Sequence, residues 1–341
     1  MLKRGVMVAT LIAVTAAMTS AAAAQDRLKS IVTKQKLTVD DVARIQAEVA
    51  TRARKLAEAG KDPRRRKATR DRLIGTSRIP KATRVGLDAY AQACDEELSP
   101  LVMDDDLNVA LDAILVLEAL DNAKTADALA QALSSPHEAV RYKAARGLEL
   151  LHKEIAKQAD ACRTVLAALG RAGAVEKSEP VLRMIYRALH FSADVPNFRY
   201  AHECAAALNA VYAGRLRRLR QGSRDEWKDA PSLAIAADCY ANATADQQRE
   251  LVKHLAAFLA HDVDRYCDNS TAEEYYPTIA GLVADVEKIL RRMIRDAGAT
   301  PPSDRVSAHV KPSRPDARMK RDARAAVKSL KAVLAKPPWN L

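Results

Sequence analysis

The stretch TADALAQALSSPHEAVRYKAARGLELL, residues Thr125 to Leu151, decides how this chain is built. Its first half carries apolar residues at the spacing of three and four that lays one stripe along a helix: Ala126, Leu129, Ala130 and Leu133. Ser134, Ser135 and Pro136 interrupt this pattern, and Pro136 suits the first turn of a new helix. A second stripe follows at Val140, Ala144, Leu148 and Leu151. The stretch therefore predicts two short helices joined by a tight turn.

A single hairpin of this kind leaves one flank of each helix in water, so further copies are expected to stack on either side. The second stripe recurs 31 residues earlier at Val109, Ala113, Leu117 and Leu120, and 41 residues later at Val181, Ile185 and Leu189. Further helical runs without a regular period are predicted at residues 198–220, 232–242, 245–266 and 272–296. Because almost no segment alternates apolar and polar residues, we predict an all-α fold, an α-solenoid of helical hairpins.

The residues LSSPHEAVRYKAARGLELL resemble the HEAT-like repeat family, specifically its short repeats of the phycobilisome-lyase type. The resemblance covers Thr125–Leu151 and extends to Glu97–Leu120, which has Ala110 where the repeat has arginine. It implies that second helices line a concave surface that binds a macromolecule, most often a protein. It also implies that Arg141 is the repeat arginine, with Asp104, Asp105 or Asp106 of the neighbouring repeat as its partner.

The N-terminus has the pattern of a cleaved secretory signal peptide. Lys3 and Arg4 precede an apolar core at residues 6–17, and Ala22 to Ala24 supply the small residues that a signal peptidase needs before Gln25. A retained membrane anchor is the alternative, but four Ser and Thr residues interrupt the run and alanine is weakly apolar. We therefore expect secretion across the inner membrane to a periplasmic or extracellular location, with no transmembrane helix in the mature chain.

The C-terminal segment is expected to differ from the helical repeats. Gly298 to Pro315 contains four prolines and cannot form regular helix. The helix predicted after it is amphipathic and basic, with Met319, Ala323, Val327, Leu330 and Leu334 on one face. It can cap the open end of the solenoid or lie on an anionic membrane.

The chain after the signal peptide is therefore expected to have four parts. They are a basic helical region at 25–93, HEAT-like repeats at 94–297, a Pro-rich linker at 298–315 and the amphipathic helix and tail at 316–341.

Charge is distributed in blocks. The chain carries a formal net charge of +12, which becomes +10 when Lys3 and Arg4 are removed. Residues 52–84 hold thirteen basic and three acidic residues, including Arg64, Arg65, Arg66 and Lys67, whereas residues 94–127 hold ten acidic residues and one lysine. Opposite blocks so close in sequence are expected to face each other or neighbouring molecules. Residues 52–84 contain no aromatic residue to stack on a base, and export also disfavours nucleic acid as a partner.

Two local patterns raise specific hypotheses. Five cysteines leave at least one thiol free, and a Cys162–Cys204 disulfide is a hypothesis because a solenoid would place their helices parallel and adjacent. His261, Asp264 and Asp268 are spaced three and four apart, so neighbouring side chains share a helical face and form a weak candidate metal site. Solvent-exposed polar residues at a helix end produce the same pattern.

The sequence contains no nucleophile elbow, no Gly-rich phosphate loop, no dinucleotide fingerprint and no His-Glu-x-x-His or Cys-x-x-Cys motif. We therefore predict a non-enzymatic scaffold without a cofactor that binds another protein. The candidate contacts are Arg141, Arg146, Arg183 and Arg187 of the second helices and the cluster Arg64, Arg65, Arg66 and Lys67. Two alternatives stay open: an enzyme with an unrecognised helical pocket, and an electrostatic binder of anionic envelope glycans or lipid surfaces.

Overall fold

The computed structural model describes residues 27–60 and 62–341. Within them the chain is all-helical and has no β-strand, so the predicted all-α class is confirmed. None of the helices in these ranges is both long enough and apolar enough to cross a bilayer. The predicted signal peptide, residues 1–24, lies outside the described residues. The chain divides into two compact units, Met1–Glu154 and Ile155–Leu341.

Several helix starts are encoded locally. Thr38 forms a capping box with Asp41, in which the Thr38 hydroxyl accepts from the Asp41 N–H and the Asp41 carboxylate accepts from the Thr38 N–H. Thr244 begins a second capping box of the same type. The helix after Pro136 begins at Glu138. Pro136 therefore lies in the turn before the helix, whereas the sequence predicted it in the first helical turn.

Among the described residues of the first unit, six helices of seven residues or more form three consecutive hairpins. They are α1 (Val39–Glu58), α2 (Pro63–Ser77), α3 (Arg84–Leu98), α4 (Leu107–Ala119), α5 (Ala126–Ala132) and α6 (Glu138–Leu150). The first helices of successive hairpins pack against one another, α1 on α3 and α3 on α5. The second helices do the same, α2 on α4 and α4 on α6. The unit therefore has two layers, one of first helices and one of second helices.

The apolar stripes predicted for this unit lie in its core. Val109, Ala113 and Leu117 of α4 are buried, as are Val140 and its stripe partners in α6. The hairpin of α1 and α2 was not recognised among the repeats, although Ile45, Val49 and Leu56 of α1 and Leu73 of α2 are buried. The reason is that α2 is rich in arginine and carries few apolar residues, so its sequence does not show the repeat stripe.

The second unit, described by itself, also has two layers of helices. Its helices of seven residues or more are α7 (Ala159–Val175), α8 (Glu179–Leu189), α9 (Ala201–Arg220), α10 (Ser232–Tyr240), α11 (Ala245–Cys267), α12 (Tyr276–Asp296) and α13 (Ala317–Leu334). One layer runs from α7 through α9 and α11 to α13, and the other runs from α8 through α10 to α12. The helical runs predicted in this half correspond to α9, α10, α11 and α12.

Close packing of α7 on α9 depends on small residues. A Cβ atom at Gly214 of α9 would lie 2.0 Å from the Ala174 carbonyl oxygen, and one at Gly170 of α7 would lie 2.9 Å from the Ala207 Cα. The two backbones therefore approach more closely than side chains would allow. Arg218 of α9 also donates to the Ala174 carbonyl.

The C-terminal segment is docked on the second unit. Residues 299–316 are irregular apart from the four-residue helix Val306–His309, and Glu287 of α12 accepts from the Val306 and Ser307 N–H groups at 2.9 Å each. The apolar face of α13 packs on α11 and is buried at Ala323, Ala326, Val327, Leu330 and Leu334. That face is therefore covered by protein.

All five cysteines are buried free thiols, so the Cys162–Cys204 disulfide hypothesis was wrong. Burial raises the pKa of Cys94 and that of Cys162 to about 12. The Cys204 thiol instead donates to the Leu189 carbonyl at 3.1 Å. These thiols behave as small apolar residues in the helix contacts.

Candidate binding surface

The second helices of the first unit enclose a groove with a volume of about 560 Å³. Residues of α2, α4 and α6 line it, so the groove requires three consecutive hairpins. We call it the α2–α4–α6 groove. Its lining residues are Arg70, Asp71, Ile74, Gly75, Arg78, Leu115, Glu118, Ala119 and Leu150.

The centre of this groove is apolar. Ile74, Leu115 and Ala119 line it, and Leu150 is 55% exposed, which is unusual for a large apolar side chain in this chain. A Cβ atom added at Gly75 would meet nothing within 4 Å, so the α2 wall is open at that position. Leu115 and Leu150 lie off the stripes that form the core, so they are free to contact a bound molecule.

The rim of the groove carries both signs of charge. Arg146 lies 3.7 Å from Glu118 between the Nε atom and a carboxylate oxygen, and the other Glu118 oxygen is buried without a hydrogen-bond partner. Arg78 is exposed at the end of α2. The ion pair with Arg146 therefore compensates the charge of the partly buried Glu118.

A buried ion-pair cluster lies beside the groove. Asp112 of α4 accepts from Arg66 at 3.2 Å and from Arg70 at 2.6 Å. The basic block and the acidic block of the sequence meet at this cluster, which is one of the two arrangements expected for them. Arg66 is only 8% exposed, whereas Arg64, Arg65 and Lys67 are exposed. The predicted basic cluster therefore presents three residues to solvent, and Arg66 holds α2 on α4.

The remaining candidate arginines lie apart from the groove lining. Arg141 donates to the carbonyls of Ser135 and Pro136 at 2.9 and 3.0 Å, so it braces the turn before its own helix. Arg183 is exposed and pairs with Glu179 one turn away, and Arg187 is exposed on the same helix, α8. Of the four second-helix arginines, the structure brings only Arg146 to the groove, through Glu118.

The candidate metal site does not form. Among the described residues, no group of three or more His, Cys, Asp or Glu side chains is arranged to hold a metal ion. Asp268 ends α11 and accepts from the Ser270 N–H at 2.9 Å, from the Ser270 hydroxyl and from Arg265. The spacing of His261, Asp264 and Asp268 is therefore that of polar residues at a helix end.

A buried polar network in the second unit was not anticipated from the sequence. Arg215 is 1% exposed and donates to Asp229 at 2.9 Å and to Asp225, while Tyr186 donates to Asp229 at 2.6 Å. Burial raises the pKa of Asp229. Burial opposes ionisation of Asp225 as well, but hydrogen bonds from Lys228, Ser223 and Arg215 hold its pKa well below the usual range. The network ties the loop after α9 to α8 and α9.

The groove residues that the sequence did not predict are mainly the apolar ones. Leu150 adjoins Leu151, the last residue of the second stripe, and an exposed leucine next to a stripe is the signal that could have indicated it. Ile74, Gly75 and Leu115 have no comparable signal, because only the packing of α2 on α4 brings them together.

The chain was compared with known protein families and with curated protein sequences. No protein-family model matches the chain, and no curated protein sequence matches it. The resemblance to HEAT-like repeats therefore rests on the residues of the chain itself, and the function has to be inferred from the surface described above.

Proposed function

We propose that this chain is a non-enzymatic scaffold protein that binds another protein through the α2–α4–α6 groove. The observation that carries the proposal is an open groove of about 560 Å³ whose apolar centre is flanked by charges of both signs. Grooves of this volume hold a few side chains, and polar groups at the rim fix their orientation. No cofactor and no catalytic residue is included in the proposal.

We further propose that the hairpins of the chain form a HEAT-like solenoid. Stacking of first helices on first helices and of second helices on second helices within each unit supports this proposal. Burial of the equivalent positions Val109, Val140 and Val181 supports it as well. In a solenoid, the second helices line one continuous surface, and a groove between three of them is where an extended partner would bind.

The partner segment expected from the groove has one or two apolar side chains next to charged residues. Leu150 and Ile74 would contact the apolar side chains, and Arg78 would pair with a carboxylate. This mixture of contacts is typical of a protein segment, because a glycan or a phosphate chain would not use the apolar centre.

We also propose that the protein works outside the inner membrane, in the periplasm or extracellularly. The support is the N-terminal pattern of Lys3, Arg4, an apolar core and Ala22 to Ala24. Sequencing the N-terminus of the protein purified from its source tests this directly. A mature chain that begins at Gln25 is expected, and a chain that still begins at Met1 would contradict export by this signal.

Site-specific photocrosslinking tests the groove. A photoreactive benzoylphenylalanine is placed at Gly75 in the groove, and the control is placed at Gly281 of α12, which also has open space around its Cα. Crosslinking in native envelope fractions is expected to label one protein from position 75 but not from position 281, at low and at high salt. Equal labelling from both positions, or labelling that high salt abolishes, would favour screened charge attraction and contradict the proposal.

A second pair of variants tests the same surface without crosslinking. Gly75→Trp fills the groove, whereas Gly281→Trp adds the same side chain at an exposed position on another helix. Capture of the crosslinked partner should be lost with the first variant and kept with the second. Circular dichroism and melting curves of both variants confirm that the helices are intact.

A further inference from the structure

The second unit contains a separate cavity of about 230 Å³ next to the connection between α11 and α12. The connection itself contributes Ser270, Ala272 and Tyr275, and the loop after α9 contributes Arg224. The remaining lining residues are Arg265, Thr278, Ile279 and Leu282. The cavity is not part of the α2–α4–α6 groove, and the following inference is independent of the proposed function.

The inner part of this cavity is apolar. Ile279 and Leu282 are buried side chains of α12, and Ala272 and the ring of Tyr275 extend the apolar wall outward. A water molecule occupies about 30 Å³ of liquid, so the cavity has the space of roughly eight waters. It therefore suits a ligand of on the order of ten non-hydrogen atoms that has an aliphatic part.

Two arginine side chains lie at the mouth of the cavity. Arg265 donates to Asp268 at 3.1 Å, and the Ser270 hydroxyl donates to the same carboxylate at 2.7 Å. Arg224 donates to the Ser270 hydroxyl at 3.3 Å, and no carboxylate of the described residues forms an ion pair with it. The Arg224 guanidinium is thus available at the cavity to the carboxylate of a ligand.

We infer that this cavity binds a carboxylate carried on a short aliphatic chain. The aliphatic chain would lie against Ile279 and Leu282, and the carboxylate would pair with Arg224 at the mouth. Thr278 adds a hydroxyl group that can donate to the second carboxylate oxygen, whereas the Ser270 hydroxyl already donates to Asp268. Arginine is the side chain best suited to this role, since its planar fork donates two parallel hydrogen bonds to a carboxylate.

Two kinds of molecule carry a carboxylate on a short aliphatic chain. One is a free short-chain fatty acid, and the other is a peptide whose C-terminal residue is leucine. Hexanoate represents the first source and N-acetyl-leucine the second. Hexanol and N-acetyl-leucinamide are the matched ligands that lack the carboxylate. For ligands of this size, a Kd of about 0.1 to 1 mM is expected.

Isothermal titration and NMR of the full chain test the inference. In protein labelled at isoleucine methyl groups, hexanoate or N-acetyl-leucine should shift the Ile279 signal, and the carboxylate-free ligands should bind at least tenfold more weakly. Arg224→Gln should weaken binding about tenfold, because a charge-assisted hydrogen bond is lost. The control Arg292→Gln removes another exposed arginine of the second unit and should leave binding unchanged.

A second variant guards against a false negative. Thr278→Trp closes the cavity from an exposed position of α12, so it should abolish binding without changing the melting temperature by more than a few degrees. Tighter binding of hexanoate than of N-acetyl-leucine would identify a free acid as the ligand, and the reverse order would identify a peptide C-terminus. Equal binding of hexanoate and hexanol, an unaffected Arg224→Gln variant or no shift at Ile279 would overturn the inference.

Discussion

Asp112 is the residue on which the basic helix α2 depends for its packing on α4. Its carboxylate pairs with Arg66 and Arg70 in a site where Arg66 is almost inaccessible to water. Asp112→Asn keeps the shape of the side chain but leaves the Arg66 charge buried without a counterion. We expect the free energy of unfolding to fall by about 3 kcal/mol, measured by urea denaturation.

The matched control for this change is Asp71→Asn. Asp71 lies on α2 itself and pairs with Lys67 of the same helix, but both side chains are largely exposed. The loss should stay within about 0.5 kcal/mol, because solvent screens an exposed ion pair. If the two variants had equal stability, Asp112 would not be responsible for holding α2 in place.

His254 makes the stability of the second unit depend on pH. Burial lowers its pKa to about 4, while Glu250 raises it and Lys253 and Arg220 lower it further. The ring nitrogen Nδ1 hydrogen-bonds the Asn209 side chain at 3.0 Å. Since the unfolded chain titrates near the ordinary value of about 6.5, the unfolded state binds the proton first as the pH falls.

The contribution of His254 is therefore complete above about pH 6.5 and is lost as the pH falls toward 4. The free energy of unfolding of the native chain should drop by about 3 kcal/mol more than that of His254→Gln across this range. Chemical denaturation of both proteins at several pH values measures the difference. A difference that does not change with pH would show that the buried ring is not held neutral.

At the scale of the elements, two glycines in helices have opposite roles. Gly75 of α2 has open space where a Cβ would lie, whereas a Cβ at Gly214 of α9 would collide with the backbone of α7. Gly75→Ala is expected to stabilise the protein by about 0.5 to 1 kcal/mol, because alanine favours the helix. Gly214→Ala is expected to destabilise it by about 2 kcal/mol or more.

Thermal and urea unfolding of the two alanine variants measure these effects. The substitution is the same in both cases, so helix propensity contributes equally and the difference reports the contact between α7 and α9. Destabilisation by both variants, or by neither, would contradict the close approach of the two helices.

Hairpins were recognisable from the sequence where both helices carry an apolar stripe. The pair α5 and α6 was found in this way, and the stripe of α4 lies 31 residues before that of α6. The hairpin of α1 and α2 was missed because Arg66 takes part in the contact with α4 through Asp112. A buried ion pair replaces apolar contacts there, and a search for apolar periodicity does not detect it.

At the scale of the whole molecule, the positive charge of the chain predicts salt-dependent binding to an anionic membrane. The tail carries basic residues such as Lys320, Arg321 and Lys328, but the apolar face of α13 is buried against α11. Vesicles rich in anionic lipid should retain the protein at low salt and release it at about 1 M salt, where the Debye length is about 3 Å.

A chain that ends at Ala297 is the comparison for this experiment. It lacks the basic tail and should bind the same vesicles more weakly at low salt, as sedimentation measures. Retention of the full chain at high salt would mean that α13 leaves α11 and inserts its apolar face into the lipid. In that case, the docked position of α13 would be one of two states.

The sequence by itself determined the helical class, the position of most helices and the division into charged blocks. These properties depend on local spacing: apolar residues three and four apart, capping residues such as Thr38 and prolines at turns such as Pro136. Local spacing did not reveal the α2–α4–α6 groove or the cavity near Arg224. Both are formed by residues that are far apart in the chain and that lie off the apolar stripes.

Only the tertiary structure decided which arginines are available to a partner. Arg66 and Arg64 belong to one run of basic residues, yet one is buried against Asp112 and the other is exposed. Arg141 braces a turn, and Arg146 reaches the groove through Glu118. The physical reason is that a charge is buried only where the fold supplies a partner for it, and that partner comes from another helix.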